Sequence, residues 1–232
     1  MLSAHEKLAA SAAQQVYINK KPLKSQRFFN GFRYYLIIFF CFYFANARTL
    51  RLRYNVNVMI KEYIWGTEDW IYQDERLLIK VIDAKKPLSV QVHPDNEYAQ
   101  KVEKQPNGKN EMWYILEAEE GAYLYCGFNQ KMDKEAVRKS ALDGSIEQYL
   151  NKILVKKGDL IKIPAGTVHA IGAGIKILET QQNSDLTYRL YDYKRLGSDG
   201  KERELHLDKA LDVIDYDKYS PDSEKSKNFS LF

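Results

Sequence analysis

The sequence contains little cysteine, and its two cysteines stand far apart. Cys41 and Cys126 lie in different surroundings and form no CxxC pair or other spacing typical of metal ligands. We therefore expect no disulfide framework. Such a composition favours a reducing compartment, so the sequence predicts a cytoplasmic protein.

Long apolar runs are scarce as well. The run at residues 34–44 has 11 residues, whereas a helix that crosses a bilayer needs about 20. We therefore expect no stable membrane association. Basic residues before the run and Ala45-Asn46-Ala47 after it resemble a signal peptide, although more than thirty residues precede the run. The alternatives are a non-native or misassigned extension and an ordinary buried strand, and residues 1–53 are treated as an N-terminal extension.

Neither sign of charge dominates the chain. Its 35 basic and 31 acidic residues leave a formal net charge of +4. A surface of such mixed charge gives no reason to expect nucleic-acid binding. No pattern in the chain indicates an oligomeric state.

The sequence does contain a series of short apolar or alternating runs separated by turn residues, which is typical of antiparallel sheets. The predicted strands are 77–82, 88–93, 112–117, 122–128, 153–156, 160–163, 175–179 and 187–191. With 45% hydrophobic residues, the chain can build one core, and we expect an all-β sandwich or barrel. The main domain is expected at 54–215, followed by a polar tail at 216–232.

Helical segments interrupt and follow this pattern. Asp133 can cap a helix over 134–138, and 145–150 has the pattern of a second short helix, which together predict a helical insertion between strands. Residues 204–215 carry apolar side chains at partly helical spacing. This spacing predicts a C-terminal helix.

Histidine is scarce, but two of the four histidines fall in dense local patterns. Gln91 and His93 stand two residues apart on a predicted strand, so their side chains point to the same face. His169 follows the turn signal Pro164-Ala165-Gly166. A single histidine in a β domain is more often structural than a ligand, but these two patterns together favour a binding site.

The segment that ends at His169 has the spacing of the second motif of the cupin superfamily. Gly158 closes a hairpin, 160–163 forms a strand, and the turn at Pro164 and Gly166 aims His169 back into the barrel. The chain is thus similar to cupins, and we predict a cupin-like jelly-roll barrel. The first cupin motif has a looser counterpart in Gln91, His93, Glu111 and Gly121.

Longer runs resemble the type I mannose-6-phosphate isomerases, which are cupins. These runs are 79–95, 108–114, 164–169, 178–193 and 203–207, and they lie in order within residues 60–212. The resemblance implies a cage for one metal ion per chain, made of Gln91, His93, Glu111 and His169. Two imidazoles favour Zn²⁺, although Mn²⁺, Fe²⁺ or Co²⁺ could substitute.

The same resemblance implies an enzyme that interconverts mannose 6-phosphate and fructose 6-phosphate through an enediolate. In that reaction Arg189 is expected to stabilise the enediolate, and Lys109 to handle the phosphate or the proton. Asp185 is expected to orient Arg189 or to share the acid/base work. The expected partner is a hexose 6-phosphate. A non-catalytic or regulatory cupin that binds a sugar phosphate is the alternative.

Each of these residues also has a plain structural interpretation. Lys109 can be a loop lysine, Arg189 a strand residue whose stem covers apolar surface, and Asp185 a turn residue. Glu111 is a solvated charge unless the histidines gather around it.

The chain departs from the family pattern in two places. Relatives usually carry a much longer stretch between an Ile-Trp-Gly element, here Ile64-Trp65-Gly66, and the segment that leads to the metal-binding glutamine. This chain has only residues 67–78 there. Relatives also commonly continue into a second cupin-like domain, so we expect a single-cupin form or a truncated product.

Overall fold

The structure is a computed structural model that describes residues 59–197 and 200–220, all within one compact unit. The expectations for the extension 1–53, with its apolar run, and for the end of the polar tail at 221–232 lie outside the described residues. Cys126 is buried and free. None of the helices in the described ranges has the length and apolar character that crossing a membrane requires.

Short strands make up most of the regular secondary structure of the described chain. They are β1 (Met59–Tyr63), β2 (Gly66–Gln73), β3 (Leu77–Ala84), β4 (Val90–Val92), β5 (Glu111–Ala118), β6 (Tyr123–Phe128), β7 (Leu150–Leu154), β8 (Leu160–Ile163), β9 (His169–Ile171), β10 (Ile175–Gln182) and β11 (Tyr188–Tyr191). One sheet has the order β1-β2-β3-β10-β5-β8, and the other has the order β11-β4-β9-β6-β7. Neighbouring strands pair antiparallel. The predicted all-β, cupin-like fold is confirmed.

The main core lies between the two sheets. Trp113 and Ile115 of β5 share one buried cluster with Leu124 of β6 and Ile171 of β9, which belong to the opposite sheet. Alternate residues of the same strands face the other way, as the period of two along a strand requires. One end of this interior is polar, and the candidate site lies there.

The helices cover the outer face of the five-stranded sheet. They are α1 (Asn96–Tyr98), which continues into a π-helical turn (Ala99–Glu103), α2 (Lys134–Asp143), a 3₁₀ turn (Ile146–Tyr149) and α3 (Leu207–Val213). Val137 of α2 and Leu211 of α3 pack in one cluster with the outward-facing Val90 and Val92 of β4. The predicted cap is confirmed, because the Asp133 carboxylate accepts a hydrogen bond from the backbone N–H of Ala136 at 2.8 Å.

Some element boundaries differ from the sequence prediction. The strand expected at 88–93 is confined to Val90–Val92, and the one expected at 153–156 runs instead over Leu150–Leu154. Asn151 explains the second shift, because its side-chain amide donates to the carbonyl oxygens of Cys126, Phe128 and Tyr219. These bonds keep a polar residue inside a strand.

The hairpin of β1 and β2 was not predicted. Its charged residues, among them Glu68, break the apolar alternation that marks a strand. Gly66 joins this hairpin to β3 at very short range, since a Cβ atom there would lie 1.9 Å from the carbonyl oxygen of Asp83. Its φ of +150° also favours glycine. The hairpin thereby forms one edge of the six-stranded sheet, next to the polar end of the interior.

Candidate metal centre and active site

Strand register brings the predicted metal ligands together from both sheets. Gln91 of β4 lies opposite His169 of β9, and both face the interior because Val90 and Val92 face the helices. His93 follows β4 by one residue on the same face. Glu111 opens β5 from the other sheet, two residues before the inward-facing Trp113.

Three of the four predicted ligands form a tight buried cluster. Ligand atoms of His93, Glu111 and His169 all lie within 4.8 Å of one another. The His93 Nε2 atom is 3.1 Å from Glu111 Oε1, and the His169 Nε2 atom is 3.8 Å from Glu111 Oε2. Each of the three side chains is 1% exposed. A cluster of this kind could hold a metal ion.

Backbone contacts assign the tautomer of both histidines. His93 Nδ1 lies 2.8 Å from the carbonyl oxygen of Leu186, and His169 Nδ1 lies 2.8 Å from that of Thr167. Because a carbonyl oxygen only accepts, each Nδ1 carries the proton and each Nε2 lone pair points at the centre. Burial and then the Lys109 charge lower the pKa of His93 to about 3. Burial likewise lowers the pKa of His169, so both rings are in the neutral form that binds metals.

Glu111 is the anionic member of the cluster. Burial alone would raise its pKa, but the Lys109 ammonium and the imidazoles hold it well below its usual range. Lys109 Nζ lies 2.8 Å from Glu111 Oε1 in an ion pair. This buried Oε1 still accepts no well-directed hydrogen bond. A buried carboxylate oxygen with unused acceptor capacity fits a metal ligand.

Gln91 has its amide nitrogen turned towards the cluster. The Nε2 atom lies 3.4 Å from His169 Nε2, while Oε1 accepts a hydrogen bond from Ser89 Oγ at 3.2 Å. A half turn about the last side-chain torsion would exchange the two atoms and present the oxygen instead. Gln91 is therefore within reach of the same centre.

A second charged cluster lies beside the first, and the sequence analysis missed it. Lys80 Nζ of β3 is 2.9 Å from Glu179 Oε1 of β10 and 3.3 Å from Glu68 Oε1 of β2. Burial disfavours the charged form of Lys80, but Glu179 and Glu68 raise its pKa overall. Burial, followed by repulsion from Glu111, raises the pKa of Glu179. The sequence did carry a signal for this cluster, because Lys80 and Glu179 are each a charged residue within an otherwise apolar run.

Trp113 connects the two clusters. Its indole Nε1 lies 3.0 Å from Glu111 Oε2 and 3.0 Å from Glu179 Oε2, and it donates to both. Glu179 lies opposite Trp113 on one side and Lys80 on the other in the sheet register. The two carboxylates are therefore held at fixed positions on either side of one ring nitrogen.

A cavity of about 180 Å³ is lined by the second cluster and, beside the first cluster, by Gln91 and Lys109. Four of its lining side chains are cationic: Lys80, Lys109, Arg189 and Arg203. Aromatic walls come from the β1–β2 hairpin, where the rings of Tyr63 and Trp65 stack with centroids 4.8 Å apart. The cavity is thus polar and lined by several cations, as a site for an anionic substrate requires.

Arg189 lies next to the predicted cage. It is opposite Gln91 in the pairing of β11 with β4, so the two side chains share the inner face. Its Nη1 donates to the carbonyl oxygen of Glu204 at 2.6 Å, whereas its buried Nε finds no partner among the described residues. Burial, then the nearby Arg203, lowers its pKa, yet a guanidinium stays charged at neutral pH.

Asp185 is the one proposed catalytic residue that the structure leaves outside the cavity lining. Its side chain is exposed in the loop before β11, and it is not among the residues that line the cavity. Among the described residues, the Arg189 side chain donates a hydrogen bond to the backbone carbonyl of Glu204 and none to Asp185. Lys109, in contrast, is buried in the cage beside Glu111 and 3.4 Å from His93 Nε2.

The jelly roll and its converging imidazole and carboxylate ligands define a cupin with a candidate metal centre. The model of the family "Phosphomannose isomerase type I, catalytic domain" matches residues 69–130. Mannose-6-phosphate isomerase ManA of Bacillus subtilis (strain 168) is 50% identical over 139 residues, which is 60% of this chain and 44% of that protein. Mannose-6-phosphate isomerase of Streptococcus mutans is 49% identical over 138 residues, which is 60% of this chain and 43% of that protein.

A solved structure agrees with these matches. The crystal structure of the mannose 6-phosphate isomerase from Bacillus subtilis aligns with a TM-score of 0.65 and 32% identity over 69% of this chain and 68% of that chain. The chain therefore belongs to the type I phosphomannose isomerase family. Its matched region spans less than half the length of the curated relatives, 44% and 43%.

Proposed function

We propose that the chain is a metal-dependent aldose–ketose isomerase that interconverts mannose 6-phosphate and fructose 6-phosphate through an enediolate. The observation that carries the proposal is the buried convergence of His93, Glu111 and His169 beside a cavity lined with cations. The names of the matched relatives supply the substrate. Belonging to their family supports the reaction class.

The proposed cofactor is one Zn²⁺ ion per chain, held by Gln91, His93, Glu111 and His169. Neutral imidazoles with free Nε2 lone pairs and an ionised carboxylate suit this ion. Gln91 would contribute its Oε1 after the half turn of its amide. When bound, the ion would supply Lewis acidity towards a sugar carbonyl or hydroxyl. Everything else in the reaction falls to the side chains of the cavity.

Arg189 is proposed to stabilise the negative charge that develops on the enediolate oxygens. Its guanidinium stands beside Gln91 on the inner face of the sheet, and its Nε has an unused hydrogen-bond donor. A donor that is already in place contributes most when charge appears on the reacting atoms. Loss of this contribution should therefore lower kcat more than it weakens binding of the substrate in its ground state.

Proton transfer between the two reacting carbons needs a group that can both take and give a proton. Glu179 lines the cavity, and its raised pKa brings it closer to neutral pH, where such a group works best. Lys80 holds it in place.

Lys109 remains a candidate for handling a proton or the phosphate from its place beside Glu111. Asp185 remains a candidate for orienting Arg189 or for acid/base work, although its exposed side chain lies outside the cavity lining.

The decisive experiment assays the purified full chain for fructose 6-phosphate formation from mannose 6-phosphate. Zinc-loaded protein is expected to turn over, EDTA-treated protein to lose activity, and added Zn²⁺ to restore it. The matched variants are Glu179→Gln, expected to be nearly inactive with full metal content, and the exposed Lys85→Gln, expected to behave like wild type. A metal-loaded wild type that binds the sugar phosphate but never converts it would contradict the proposal and favour a binding protein.

A cytoplasmic location is also proposed. Phosphorylated sugars are dianions whose transfer into a bilayer is very costly, so the enzyme must share a compartment with the source of its substrate. The free thiol of Cys126 is compatible with a reducing compartment. Fractionation of cells that produce the full chain tests this location.

A further inference from the structure

The cations that line the cavity differ in how their charge is balanced. Lys80 lies between Glu179 and Glu68, and Lys109 pairs with Glu111. Carboxylates thus match both lysines at the metal-binding end. The excess positive charge of the cavity lining therefore comes from Arg189 and Arg203.

Arg189, Arg195 and Arg203 are neighbouring guanidinium groups with one buried carboxylate, Asp192, among them. Asp192 is 4% exposed and makes ion pairs with Arg195 and Arg203, while Arg189 has a backbone carbonyl as its recorded side-chain partner. Two positive charges therefore remain unbalanced among these buried and half-buried groups. Glu202 and Glu204 of the neighbouring segment are exposed, so water screens their charges. A dianionic group such as a phosphate monoester matches the excess.

Asp192 fixes the orientation of Arg203. Its two oxygens accept from Nε and Nη2 of Arg203, both at 2.6 Å. This bidentate pairing uses one long edge of the guanidinium and leaves the edge formed by Nη1 and Nη2 available for a second oxyanion. Arg203 itself lines the cavity. Asp192 is therefore suited to hold an arginine ready for a ligand.

Arg195 serves a different purpose in the same cluster. Its Nη1 donates at 2.5 Å to the carbonyl oxygen of Pro87, which precedes the strand that carries Gln91. Arg195 thus ties the cluster to the start of β4 and does not line the cavity beside the cage. Of the two arginines on Asp192, Arg203 is the one that can meet a ligand there.

The order of the strands separates the segment of Arg203 from the strand that carries Gln91. The segment of Arg203 runs along the outer edge of β11, because His206 N–H donates to the Arg189 carbonyl at 2.8 Å. β4, with Gln91, follows β11 in the sheet. Two strand spacings amount to roughly 10 Å. A phosphate at Arg203 would therefore place the sugar carbons between Arg189 and the cage.

We infer that Arg203 is the residue that recognises the 6-phosphate of the substrate, and that Asp192 is its positioning residue. This inference rests on the proposed function and specifies which part of the site recognises the phosphate. The phosphate is thereby assigned to Arg203 and not to Lys109, whose ammonium is already paired with Glu111 at the cage.

The test measures binding of two unreactive probes, glucitol 6-phosphate and glucitol, to the zinc-loaded full chain by calorimetry. Wild type should prefer the phosphorylated probe. Arg203→Gln should weaken binding of glucitol 6-phosphate by roughly 10- to 100-fold, as the loss of a charge-assisted pair predicts, and should leave glucitol binding and zinc content unchanged. Arg203→Lys keeps the charge but not the two-pronged guanidinium, so its affinity for glucitol 6-phosphate should lie between those of wild type and Arg203→Gln.

Two controls isolate the role of each residue. Arg138→Gln removes an exposed arginine that pairs with Asp208 away from the cavity, and it should bind both probes like wild type. Asp192→Asn should raise KM for mannose 6-phosphate several-fold with kcat nearly unchanged, a split that general unfolding would not produce. Equal losses in kcat and in kcat/KM would overturn the positioning role of Asp192.

The inference fails if Arg203→Gln keeps the wild-type preference for glucitol 6-phosphate. If Arg203→Gln does not fold, Arg203→Lys takes its place, and the inference fails if folded Arg203→Lys keeps that preference. Its failure is distinct from failure of the proposed function. A wild type that prefers the phosphorylated probe but does not isomerise mannose 6-phosphate refutes the isomerase and leaves the role of Arg203 standing.

Discussion

The buried Lys80 offers a sharp test of how charge is balanced beside the cage. Lys80→Met keeps the length of the side chain but removes the ammonium that lies between Glu68 and Glu179. The side chains are 8%, 11% and 3% exposed in the order Lys80, Glu68 and Glu179, so water replaces the lost partner only in part. Breaking a buried pair in this way costs about 3–5 kcal/mol. For a domain of this size, the melting temperature should fall by roughly 6–20 °C.

The loss should depend on pH in a defined direction. Without Lys80, the buried Glu179 loses its cation, so its pKa, already raised by burial, rises further above the unfolded value of about 4.3. Above that pH the folded variant holds more protons than the unfolded chain, and its stability falls as the pH rises. The deficit relative to wild type should therefore be larger at pH 8 than at pH 5.

Chemical denaturation of metal-free protein at the two pH values measures this deficit, since EDTA removes any contribution from a bound ion. The double variant Lys80→Met with Glu179→Gln should recover part of the stability, because it removes one of the stranded charges. Lys85→Met, which breaks an ion pair with Asp83 whose lysine is 71% exposed, should change the stability far less, because water screens the pair. A Lys80→Met deficit that equals the Lys85→Met deficit, or that shrinks as the pH rises, would refute the reasoning.

Other predictions address the cage, the cavity and the extension. His93→Ala and His169→Ala should each retain less than about a tenth of the wild-type zinc by elemental analysis, and full occupancy in both would remove them from the cage. Arg189→Ala should lower kcat by roughly a hundredfold or more with zinc retained, and near-normal turnover would exclude it from the mechanism. Deleting residues 1–47 should leave a folded protein by circular dichroism, because the predicted strands and motifs lie downstream; an insoluble product would place that segment in the core.

Local spacing carried much of the information about fold and cage. Gln91 and His93 are two residues apart on a strand, so the sequence alone predicts that they share a face. Strand positions such as Leu160–Ile163 follow from apolar runs between turns. Glu111 belongs to a different sheet, and only the resemblance to a family indicated that it meets the histidines.

Long-range pairing explains what sequence reasoning missed. Lys80 and Glu179 are adjacent in the register of β3 with β10 but far apart along the chain, and each is a single charge inside an apolar run. The ion pair between Asp192 and Arg203 likewise depends on a turn that brings two segments together beside β11. Asp185 shows the opposite problem, because its short separation from Arg189 in sequence did not place its carboxylate in the cavity lining.

The forked hydrogen bond from Trp113 has a consequence for the pH dependence of activity. The charge of Glu111 contributes to the raised pKa of Glu179, and the indole keeps these two carboxylates on either side of one donor. A cation bound to Glu111 offsets part of that charge and lowers the pKa of Glu179. If Glu179 transfers the proton, the acidic limb of the pH–rate profile becomes a measure of the charge in the cage. Exchange between divalent ions should then shift this limb little, while any change that adds or removes a charge at Glu111 should displace it.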